Sequence, residues 1–165
     1  MSKSEQNLKA AFAGESQANR KYLAFAAKAD QEGHPQVARL FRAAAEAETI
    51  HAHNHLRALN GIKSTQENLQ EAIVGETHEF KKMYPEMIEA AKAEKNKVAE
   101  KTLSYANEVE KTHAELYQKL LSNLGSPQGN YSYYVCPVCG YTVEKAAPEN
   151  CPVCGTKGRM FKKVE

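Results

Sequence analysis

Each of the four longest helical stretches in this chain carries a glutamate in the middle of its apolar stripe, and that pattern limits the folds open to it. Followed at steps of three and four, the first stripe reads Leu8, Phe12, Glu15, Tyr22, Ala26. The second reads Val37, Phe41, Ala44, Glu48, His51, His55, and the third reads Leu69, Ile73, Glu76, Phe80, Met83. The fourth reads Leu103, Ala106, Glu110, His113, Tyr117, and Glu79 lies one turn beyond Glu76 on the same side. A single carboxylate among apolar neighbours is ordinarily a solvated or neutral acid. Four helices presenting one each at a common level would converge as bare charges at a cost of many kcal/mol. No matching set of lysines or arginines occupies those stripes. A multivalent cation cluster resolves the conflict. One Glu from each of two helices plus Glu-x-x-His from the other two is the di-iron or di-manganese carboxylate pattern of helical bundles.

Residues 1–123 are rich in Ala, Glu, Lys, Leu and Gln, the strong helix formers. Breaks at Glu32–Pro35, Asn60–Thr65 and Glu94–Lys97 place helices at roughly 4–32, 35–59, 66–93 and 96–123. Ser64 and Glu67 form a capping-box pattern, Pro35 suits a first helical position, and Pro85 should kink the third helix. The helix pair is duplicated. Gly14-Glu15-Ser16 recurs 61 residues on as Gly75-Glu76-Thr77, and Glu48-x-x-His51 recurs 62 residues on as Glu110-x-x-His113. The one-residue difference predicts an insertion at the second inter-helix turn. His34, His53 and His78 read as residues outside the stripe pattern, and His55 as a weaker ligand candidate.

All four cysteines fall in the last 30 residues, as Cys136-Pro-Val-Cys139-Gly and Cys151-Pro-Val-Cys154-Gly. Twin knuckles of this spacing make a tetrahedral four-thiolate site for zinc or iron, and taken alone the tail does not choose between them. A Gly-Ser-Pro-Gln-Gly-Asn stretch from Gly125 reads as a linker, so the domains are expected at 1–128 and 129–165. The 22 Lys and Arg against 20 Asp and Glu leave a net charge of +2, which speaks against nucleic acid. No run of 18 apolar residues exists, and Met1–Asn7 reads as a helix start rather than a leader. A soluble, cytoplasmic protein with no membrane partner is expected.

Taken together, Gly14-Glu15, Glu48-x-x-His51, Gly75-Glu76-x-x-Glu79, Glu110-x-x-His113 and the two Cys-Pro-Val-Cys-Gly knuckles resemble the rubrerythrin family over essentially the whole chain. That resemblance implies a mainly α fold, a ferritin-like four-helix bundle followed by a small rubredoxin-like β-hairpin domain. It implies two irons held by Glu15, Glu48, His51, Glu76, Glu79, Glu110 and His113, and a third iron on Cys136, Cys139, Cys151 and Cys154. In the family, Glu48 and Glu110 would bridge, Glu15 would be terminal on one iron, and Glu76 and His113 on the other. His51 and Glu79 would exchange with oxidation state; a fifth carboxylate suits a +6 pair and a neutral imidazole a +4 pair. Tyr22 and Tyr84 are placed to donate hydrogen bonds to ligand carboxylates. The implied activity is reduction of hydrogen peroxide to water, with electrons from a rubredoxin or an NAD(P)H-dependent reductase. A ferroxidase role and a non-enzymatic zinc module are the competing readings. Asn60–Thr65 extends roughly 20 Å, against about 37 Å for a 25-residue helix, too short for a crossover between parallel helices. Either the bundle is all-antiparallel or two chains exchange helix pairs; a homodimer that swaps helix pairs, or a higher homo-oligomer, is expected because it keeps the ligand arrangement the resemblance implies.

Overall fold

The computed structural model describes residues 1–127 and 129–165, so the domain boundary expected at residue 128 lies outside the described residues. Met1–Lys63 and Ser64–Glu165 form two compact units.

The first unit is a helical hairpin of α1 (Lys3–Gln31) and α2 (Pro35–Ala58). A reciprocal capping box between Ser2 and Glu5 starts α1, and Pro35 occupies the opening turn of α2, where its missing N–H costs nothing. The seam between the helices is made of small residues. Ala26 and Ala29 on α1 cluster with Ala38 on α2, with Phe41 packed against them, and Ala45 and Ala52 are buried further along α2. Ala38, Ala45 and Ala52 recur at intervals of seven, the spacing of a close-packed helix pair. This seam differs from the expected stripe. Val37 is 47% exposed and Leu40 is 68% exposed. The alanine row lies roughly a quarter-turn from the Val37–Glu48–His55 row, so a two-helix hairpin covers one and leaves the other uncovered.

The second unit opens with α3 (Thr65–His78), capped as expected by Ser64, whose Oγ accepts from the Glu67 N–H while its own N–H donates to Glu67 Oε2. The third predicted helix is split. A π-helical turn, Glu79–Met83, joins α3 to α4 (Tyr84–Ala93), and the Tyr84 N–H donates to the Glu79 carbonyl five residues back. Pro85 follows immediately and has no N–H for the carbonyl four residues before it.

This turn corrects the expected position of the extra residue in the second half. Both inter-helix connections, 32–34 and 94–96, have three residues, and the stretches from Pro35 to Glu48 and from Lys97 to Glu110 are equally long. The surplus falls between Glu76 and Ala93, inside the helix. A single π turn absorbs one residue more than the α ladder does.

Helix α5 (Lys97–Ser122) is capped by Asn96 and packs on α3, the π turn and α4. The remainder is an antiparallel sheet in the order β2–β1–β3, with β1 (Tyr133–Val135), β2 (Thr142–Glu144) and β3 (Lys162–Val164). Val135 pairs with Thr142 on one side and Lys162 on the other. Strand β2 also lies against α5. Glu144 secures that contact, accepting from Tyr131 Oη at 2.5 Å and from Lys119 Nζ.

Candidate metal centres

In the first unit, Glu15 from α1 and Glu48 and His51 from α2 bring one ligand atom each to within 4.8 Å of the others. Glu48 and His51 share one turn of α2, and Glu48 Oε2 lies 2.9 Å from His51 Nδ1. The two helices are held in register one turn away by Asn19. Its buried side-chain amide donates to the Ala45 carbonyl at 2.7 Å and to Thr49 Oγ1 at 2.8 Å. Asn19 lies four residues after Glu15, and Thr49 adjoins Glu48.

In the second unit, Glu76 from α3 and Glu110 and His113 from α5 form the same triangle. His113 Nδ1 is 2.8 Å from Glu110 Oε2 and 3.8 Å from Glu76 Oε1. Burial, with the charges of Glu110 and Glu79 beside it, pushes the Glu76 carboxyl up to about 7. The same causes, burial and then Glu110, raise Glu79. Glu79 is close enough to feel the cluster, though its ligand atoms lie outside the 4.8 Å group. The phenols of Tyr84 and Tyr117 are also raised, by burial and by the neighbouring carboxylates. Tyr84 thus stands beside the acids as expected. Tyr22 packs in an aromatic group with Phe25 and Phe41, its ring centroid 6.0 Å from that of Phe41. Tyr117, read as a stripe residue, belongs with the acids; its position one turn after His113 was the available signal.

The donor chemistry fits metal. Among the described residues none of Glu15, Glu48, Glu76, Glu79 or Glu110 is paired with a lysine or arginine; their close cationic neighbours are histidines, His51, His113 and, beside Glu79, His78. Carboxylates gathered this way need a shared cation to be stable in their charged form.

The four cysteines are free thiols clustered within ligand distance. The Sγ atoms of Cys136 and Cys154 are 3.5 Å apart, as are those of Cys139 and Cys151. A tetrahedron with metal–sulfur bonds of about 2.3 Å has edges of about 3.8 Å, so the cage is already the size of its ion. The two knuckles are built alike. Cys136 N–H donates to the Tyr141 carbonyl and Gly140 N–H to the Cys136 carbonyl, just as Cys151 N–H donates to Thr156 and Gly155 N–H to Cys151. Gly140 and Gly155 sit at φ +84° and +78°, where a side chain would be strained. Burial pushes the Cys139 and Cys151 thiols up. Burial acts on Cys154 too, but hydrogen bonds from Thr156 and the neighbouring thiols bring it down to about 6.

The donor sets are those of a carboxylate-bridged di-iron site and a rubredoxin-like iron, and comparison with known proteins agrees. The family profile described as Rubrerythrin matches residues 6–121, and that described as Rubrerythrin, rubredoxin-like domain, matches residues 134–162. Rubrerythrin-2 of Clostridium acetobutylicum is 38% identical over 93% of this chain and 92% of its own length. Nigerythrin of Nitratidesulfovibrio vulgaris is 35% identical over 90% of this chain and 80% of its own. Among solved structures, nigerythrin in a mixed-valence state covers 99% of this chain and 88% of its own at 34% identity, with a TM-score of 0.59. Nigerythrin in a fully reduced, all-ferrous state gives the same TM-score. With both of its parts matched and relatives alike along nearly its whole length, the chain belongs to the rubrerythrin family.

Proposed function

We propose that the protein is a non-haem peroxidase that reduces hydrogen peroxide to two waters, consuming two electrons and two protons per turnover. Electrons would enter at the four-cysteine iron from a rubredoxin or an NAD(P)H-dependent reductase. The observation that carries this reading is the pairing in one chain of an electron-carrier cage, Cys136/Cys139/Cys151/Cys154, with two carboxylate–histidine clusters. Iron storage has no use for such a cage.

Two irons held by the carboxylate–histidine residues would supply the redox chemistry, two electrons for each O–O bond cleaved. The chain's own groups do the rest. Glu15, Glu48 and His51 would hold metal on one side and Glu76, Glu110 and His113 on the other, with Glu48 and Glu110 serving both. Glu79, raised by burial and lying just outside the triangle, would be the further carboxylate available in place of His51. Tyr84 and Tyr117 remain protonated beside the acids and donate hydrogen bonds to them.

The bundle would be completed by a second copy, with α1 and α2 of one protomer meeting α3 to α5 of its partner. Support comes from the six residues 59–64 that link α2 to α3 and from the uncovered row on α2, where Val37 is 47% exposed. The rubredoxin-like domain would begin near residue 128, and the reduced thiols suit a cytoplasmic setting.

The test is stopped-flow mixing of the anaerobically reduced holoprotein with hydrogen peroxide or with air-saturated buffer, read at the ferric-thiolate absorbance. Fast return of colour with peroxide and slow return with oxygen is expected. Recovery faster with oxygen would make the protein an oxidase or ferroxidase.

A further inference from the structure

Strand β2 of the small sheet contributes one side chain to the carboxylate–histidine cluster on α5. Thr142 Oγ1 lies 3.0 Å from His113 Nε2 and also 3.0 Å from the Gly140 carbonyl oxygen. A hydroxyl has a single hydrogen. The Gly140 carbonyl can only accept, so that hydrogen is committed to it and Thr142 Oγ1 must accept from His113. The imidazole therefore carries its proton on Nε2. Nδ1, 2.8 Å from Glu110 Oε2 and 3.8 Å from Glu76 Oε1, is then the nitrogen turned to the carboxylates, where a metal ion would take its lone pair.

The contact is sheltered. His113, Leu116, Tyr117, Leu120, Tyr133 and Thr142 line a mainly apolar cavity of about 260 Å³ between α5 and the sheet. The acceptor of the threonine hydrogen is the backbone of the first knuckle. Gly140 follows Cys139 directly, and its N–H donates to the Cys136 carbonyl at 3.0 Å. Val109, one turn before His113, lies against the same glycine.

We infer that Thr142 is a positioning residue that holds His113 in the Nε2–H tautomer, so that the folded four-cysteine knuckle orients a ligand of the neighbouring carboxylate site. The inference rests on His113 being a metal ligand as proposed above. Metal-bound histidines take their orientation from the partner of their second nitrogen, and loss of that partner costs about 10–100-fold in metal affinity. Here the partner belongs to the other metal domain.

The test compares Thr142→Val, which keeps the shape and removes the hydroxyl, with Thr142→Ser, which keeps the hydroxyl. The holoprotein is reduced and challenged with a ferrous chelator, and release from the carboxylate–histidine site is timed while the visible spectrum reports the four-cysteine iron. Thr142→Val should release that iron about tenfold faster with the thiolate spectrum unchanged, and Thr142→Ser should stay within about twofold of the parent. In the full-length zinc-substituted protein, long-range proton–nitrogen NMR should show the His113 proton on Nε2, and Thr142→Val should broaden or shift that signal. Equal release from all three proteins, a serine variant as fast as the valine one, or a proton on Nδ1 would overturn the inference. His113→Gln separates the two claims. If it leaves iron retention untouched, His113 is no ligand and both readings fall. If it speeds release while Thr142→Val does not, only the positioning role falls.

Discussion

Replacing Glu76 by glutamine should stabilise the metal-free protein and weaken the metal-bound one, with the first effect growing as pH rises. In the folded chain the Glu76 carboxyl is raised from its ordinary 4.5 to about 7, by burial and by the charges of Glu110 and Glu79. A folded state that holds a proton more tightly than the unfolded chain loses stability as pH climbs between those two values. At about 1.4 kcal/mol per pH unit, the full displacement is worth at most about 3 kcal/mol. The side chain is 20% exposed, and solvent screening brings the expected penalty at pH 8 to about 1–2 kcal/mol. Glutamine keeps the shape and cannot ionise. The assay is urea unfolding of the reduced, metal-stripped full-length protein at pH 5, 6, 7 and 8, followed by helical circular dichroism. The variant should gain little at pH 5 and about 1–2 kcal/mol over the parent at pH 8. Reloaded with iron, the order should reverse, because a ligand has been lost. A difference that stays flat across the range, or a variant less stable at pH 8 without metal, would refute the account of crowded carboxylates.

Asn19→Ala removes two buried hydrogen bonds across the α1–α2 seam and should cost about 2 kcal/mol, lowering the melting temperature by about 4–8 °C. Asn19→Asp should cost more, because a carboxylate oxygen would then face the Ala45 carbonyl with no hydrogen between them; a milder aspartate would show that the amide is not the donor. Gly140→Ala forces a side chain onto φ +84° at about 1–2 kcal/mol, with the new methyl in only ordinary contact with Val109. Its four-cysteine site should lose metal to a chelator faster than the parent while the carboxylate–histidine site does not, and equal retention at the cysteines would refute the strain argument.

Much of this was readable from the chain because it is local. Helix ends are written in single residues such as Ser64, Glu67 and Pro35, and the knuckles in two five-residue runs. The grouping of Glu15 with Glu48 and His51, and of Glu76 with Glu110 and His113, followed from helical spacing within a duplicated pair. What escaped is non-local or conformational. Thr142 and His113 are 29 residues apart, and a threonine in a short strand carries no pattern naming its partner. The alanine seam was hidden because periodicity weights large side chains, whereas close helix approach is made by small ones. The offset between the repeats disclosed an extra residue, yet a count cannot say whether a loop or a helix absorbs it.

That residue has a consequence for how such a site acquires direction. Two copies of one hairpin, each bringing a glutamate and a Glu-x-x-His turn, would describe a cavity with twin, interchangeable ends. The π turn at Glu79–Met83 breaks the equivalence on one side alone, and the position matching Glu79 in the first hairpin is Ala18. A gene that doubled a helical pair could by this one insertion turn a palindrome into a sentence, in which the two carboxylate–histidine clusters are no longer synonyms.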